Sequence, residues 1–70
     1  MESIKMEKQI KEALAQHAQG QIAKHKANVS IYLKNPVGIG EHPGVLEAIE
    51  EEIQMIAKYH DQLEVLNTYF

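Results

Sequence analysis

Both prolines and three of the four glycines of this 70-residue chain fall in one stretch, Asn35-Pro36-Val37-Gly38-Ile39-Gly40-Glu41-His42-Pro43-Gly44. Proline lacks the amide proton that a helix or a sheet ladder needs, and glycine accepts backbone angles that other residues avoid, so a cluster of both breaks regular structure. The chain is therefore divided once, with a long proline-free segment on each side.

The second segment has the clearer period. Leu46, Ile49, Ile53, Ile56, His60, Leu63, Asn67 and Phe70 recur at alternating steps of three and four. This is a heptad seam with Leu46, Ile53, His60 and Asn67 at a and Ile49, Ile56, Leu63 and Phe70 at d, which predicts a helix over about 44–68. Ile53 and Ile56 fall at the centre of the expected core. Glu47, Glu50, Glu51 and Glu52 crowd the first turns, where exposed amide groups stabilise negative charge, and they read as a solvated face. Pro43 suits the first helical position with His42 as cap; alternatively Gly44 is the cap and Glu47 completes an imperfect capping box.

The first segment carries Ile10, Leu14, Ala18, Ile22, His25, Val29 and Tyr32 or Leu33 on one helical stripe, with Lys24, Lys26 and Lys34 toward the end where cations help. It reads as a helix over about 3–34. Two features pull the other way. Gly20 costs about 1 kcal/mol against alanine in a helix interior, and residues 28–33 hold β-branched and aromatic side chains that also suit a short strand. A lone strand would have no partner, so helix is the better reading. Two helices joined by a loop over 35–43 make an antiparallel hairpin, an all-α fold.

A chain this short buries too small a share of its surface to be comfortably stable without a staple. It has no cysteine, which removes disulfides, thiolate metal sites and thiol nucleophiles. Pairing with a second copy is the simplest remaining solution, and a homodimeric four-helix bundle is the expected assembly. Charge agrees with antiparallel packing. Residues 1–34 hold six lysines against three glutamates, a net +3, and residues 35–70 hold seven acids against Lys58, a net −6. There is no arginine, the usual reader of phosphate and guanine, so nucleic acid is a poor candidate partner. The start, Met1-Glu2-Ser3-Ile4-Lys5, lacks the apolar run of a secretory leader, and no stretch approaches a membrane span; a cytoplasmic protein with no membrane partner is expected.

Four histidines raise a metal hypothesis. If the hairpin closes with Lys34 near Gly44, His17 falls opposite His60 and Asp61, with Glu64 one turn beyond His60, and His17, His60 and Glu64 could meet a divalent ion. No HExxH spacing supports it. Buried polar a positions that fix alignment and oligomer number explain His60 and Asn67 more simply, so no metal or cofactor is expected. The loop Asn35, Pro36, Val37, Gly38, Ile39, Gly40, Glu41, His42 and Pro43 lacks phosphate-binding spacings and puts a carboxylate where an anion would sit. Val37 and Ile39 within it either plug the end of the hairpin or face a partner. No nucleophile, base and acid converge, and an enzyme is not expected.

The segment NPVGIGEHP (residues 35–43), with the preceding Asn28-Val29-Ser30-Ile31-Tyr32-Leu33-Lys34 and the following Val45-Leu46-Glu47-Ala48-Ile49-Glu50, resembles small uncharacterised proteins of marine T4-like phages, cyanophages included. The resemblance covers about the C-terminal two thirds of the chain. It implies a phage-encoded protein at work in an infected bacterial cytoplasm, and it carries over no catalytic or binding residue. The expected role is that of a self-associating interaction or structural accessory protein. The alternatives are a metal- or small-ligand-binding bundle and a modulator that presents the loop to a host or phage protein.

Overall fold

A computed structural model describes residues 2–35 and 44–70. Two helices, α1 (Glu2–Lys34) and α2 (Val45–Tyr69), pack against each other as an antiparallel hairpin. The connecting residues 36–43, with the expected His42 and Pro43 cap and the Val37 and Ile39 plug, lie outside the described residues. Helix α1 runs unbroken through residues 28–33, so the β-branched residues there are helical. Its last turn is closed by the Asn35 amide donating to Ile31 at 2.9 Å.

Gly44 is the N-cap of α2, and its carbonyl accepts the Ala48 amide at 2.8 Å. No side chain caps the helix start. Acids in the following turn, Glu47 first, offset the exposed amides electrostatically. Gly20 sits in the interior of α1 with nothing within 4 Å of where a Cβ would stand. Since the helical backbone there suits any residue, Gly20→Ala is expected to stabilise the fold by about 0.5–1 kcal/mol, read from urea unfolding midpoints. A loss of stability would show that the open space around Gly20 is occupied in solution.

The face of α2 turned toward α1 differs from the seam. Val45, Glu52, Tyr59 and Leu66, at heptad g, are partly buried together with Ala48 and Met55 at c and Ile49, Ile56 and Leu63 at d. The a positions stand outside: Leu46 is 78% exposed, Ile53 51%, and His60 and Asn67 are exposed as well. Ile53 is therefore not at the centre of this core. The apolar stripe of α2 is wider than one neighbouring helix covers, and the hairpin takes its g and d edge.

The resulting core is thin. Among the described residues only Ala18 and His25 are buried, and no large side chain is fully enclosed. The molecule is a rod of 56 × 17 × 14 Å with a radius of gyration of 16.3 Å, against about 11 Å for a compact chain of this length. Ile10, Leu14 and Leu33, assigned to the inward stripe of α1, are also mostly exposed. No helix among the described residues is long and apolar enough to cross a membrane.

Candidate functional site

Midway along the hairpin, a polar clasp replaces the apolar contact expected there. The glutamate run Glu50-Glu51-Glu52 is not uniformly solvated: Glu52 lies on the inward g edge of α2, facing His25 on the buried stripe of α1. Nδ1 of His25 lies 2.5 Å from Oε2 of Glu52, with side chains 9% and 16% exposed. An ionised carboxylate only accepts, so Nδ1 carries the proton and donates. Asn28, one turn after His25, donates from Nδ2 to the same oxygen at 3.1 Å.

This environment holds the Glu52 carboxyl below its ordinary range. The His25 hydrogen bond is the largest cause, burial opposes it, and the Asn28 hydrogen bond and the charges of His25 and Lys24 add to the lowering. The other ring nitrogen, Nε2 of His25, is buried without a hydrogen-bonding partner among the described residues. An unmatched buried polar atom costs about 1–3 kcal/mol, so the clasp is an expensive way to join two helices and an effective way to fix their alignment. Within the protomer, the polar groups that meet across the two helices are His25, Asn28 and Glu52, while His60 and Asn67 are exposed.

The expected register holds to within about one residue, and that residue changes the chemistry. His17 meets Tyr59 rather than His60, their rings edge to face with centroids 5.6 Å apart and planes at 79°. Such a contact adds about 0.5–1.5 kcal/mol beyond area burial. The Lys58 ammonium stands 5.2 Å from the Tyr59 ring centre. His60 and Glu64 are exposed and are not brought to His17, and no group of three or more potential metal ligands occurs among the described residues.

Toward the open end, opposite the connection, the helices leave a groove of about 760 Å³ lined chiefly by Met6, Ile10, Leu14, Leu63, Leu66 and Phe70. Lys11 crosses its edge, pairing with Glu7 at 3.2 Å and donating to the Phe70 carbonyl oxygen. On the other flank a smaller hollow is lined by Glu12, Ala15 and Asn67 among others. The groove is apolar, open and built from residues three or four apart on both helices, which is the geometry that receives another helix. It holds no nucleophile–base pair in hydrogen-bond contact.

A helical hairpin with a central polar clasp and an uncovered apolar groove is what the described residues define. No protein-family model, curated protein or solved structure matches the chain.

Proposed function

We propose that the chain is a self-associating structural or interaction protein with no chemistry of its own, and that its working form is a homodimeric four-helix bundle. The observation that carries this reading is the mismatch between mass and surface. The protomer exposes 5745 Å², whereas a compact monomer of 7.9 kDa exposes about 4,400 Å². The excess, about 1,300 Å², exceeds the roughly 800 Å² per partner that a standard interface buries and falls in the range of obligate dimers. The exposed Met6, Ile10, Leu14 and Phe70 are among the side chains that such an interface would cover. The resemblance of residues 28–50 to phage proteins makes an infected bacterial cytoplasm the setting in which this module would act.

Light scattering coupled to gel filtration at micromolar concentration is expected to give at least twice the 7.9 kDa protomer mass. A compact monomer with a cooperative melt would overturn the proposal.

A further inference from the structure

We infer that the open-end groove is the pairing surface, and that two copies close it groove on groove about a dyad running along the hairpin, with both connections at the same end. The inference rests on the self-association just proposed and adds which face is used and in which direction.

Three observations point there. The groove side chains are apolar and uncovered, Met6 being 60% and Leu14 55% exposed, and they form one continuous concave strip from both helices. The surface in excess of a compact monomer is larger than one standard interface, so a partner of this chain's own size accounts for it. The third is charge. Helix α1 holds six lysines against three glutamates, a net +3, and α2 holds six acids against Lys58, a net −5. A dyad along the hairpin axis lays α1 of each copy beside α2 of the other, antiparallel, so every neighbouring pair in the bundle joins unlike charge. It also brings the two open ends together, so each groove meets its own copy, as an isologous contact requires. A dyad across the hairpin would lay the groove over the opposite half of its partner, where Lys24, Asn28 and Gln21 replace Met6, Ile10 and Leu14.

The test combines two charged variants with one distance. Leu14→Asp places a carboxylate in the groove and is expected to weaken the dimer by at least about tenfold, measured by sedimentation equilibrium. Ile53→Asp, on the exposed a stripe, is expected to change the dimer constant by less than about threefold. Because Leu14→Asp can unfold the chain along with the dimer, the direction of pairing is read on otherwise unaltered protein. The chain has no cysteine, so Lys34→Cys accepts a single nitroxide at the connection end of α1. Connections at one end put two labels within about 30 Å, given helix spacings of 8–10 Å. The reversed arrangement separates them by about 50 Å, the length of α1.

A dimer in which Ile53→Asp is the damaging change, or in which the labels are about 50 Å apart, overturns the groove-on-groove assignment and leaves self-association standing. A wild-type monomer removes both.

Discussion

Leu63→Ala is expected to cost about 2–3 kcal/mol, whereas Ile53→Ala is expected to cost less than about 1 kcal/mol, although the two residues belong to one heptad seam. Leu63 is at d, partly buried against α1 and lining the groove, so its truncation removes contacts within the protomer and would remove more at the proposed pairing surface. Ile53 is at a and half exposed. Urea unfolding of both variants at one protomer concentration measures the difference, because the proposed assembly would make stability depend on concentration. Equal losses would mean that the a stripe, rather than the groove, is covered in solution.

The second large effect lies in the clasp. Glu52→Ala removes the acceptor shared by His25 and Asn28, and a hydrogen bond to a charged group is worth about 1.5–3 kcal/mol, so a loss in that range is expected. His25→Leu combined with Glu52→Leu should recover most of it, because apolar side chains of similar size avoid both the desolvation and the unmatched Nε2. A double variant worse than Glu52→Ala would show that the clasp contributes net stability. Acid sensitivity follows from the lowered Glu52 carboxyl. A carboxyl more acidic in the fold than in the unfolded chain stabilises the fold above its unfolded value, about 4.3, and that stability is lost as pH falls through the lower folded value. The melting temperature of the wild type should decline below about pH 4.3 more steeply than that of Glu52→Gln.

What was legible in the amino-acid pattern, and what was not, divides along physical lines. The Pro36 to Gly44 cluster marked the one break, and three-and-four spacing marked both helices, because these signals depend only on neighbouring residues. The hairpin register was within reach for the same reason, since a single connection constrains which turns face each other. The inward edge of α2 was not legible. Its apolar stripe spans a, d and part of g, and nothing local says which edge α1 occupies. Glu52 hid the answer, because a carboxylate between Glu51 and Ile53 reads as solvated until its partner is known. His25 was the available signal: a titratable ring on the apolar stripe of α1, for which the register supplies a carboxylate across the helix pair. His17 shows how fine the margin is, since one residue of register separates an aromatic contact with Tyr59 from an imidazole pair with His60.

The thin core also bears on how the chain behaves when it is scarce. With only Ala18 and His25 buried among the described residues, a protomer that gained its interior by the proposed pairing would have no melting point independent of dose: folding and assembly would become one bimolecular equilibrium. Below the dimer constant of such an assembly the chain would be mostly open and exposed to proteases, and above it most copies would be protected. Its lifetime in a cell would then rise with its own rate of synthesis, so that a burst of expression accumulates and a trickle is cleared.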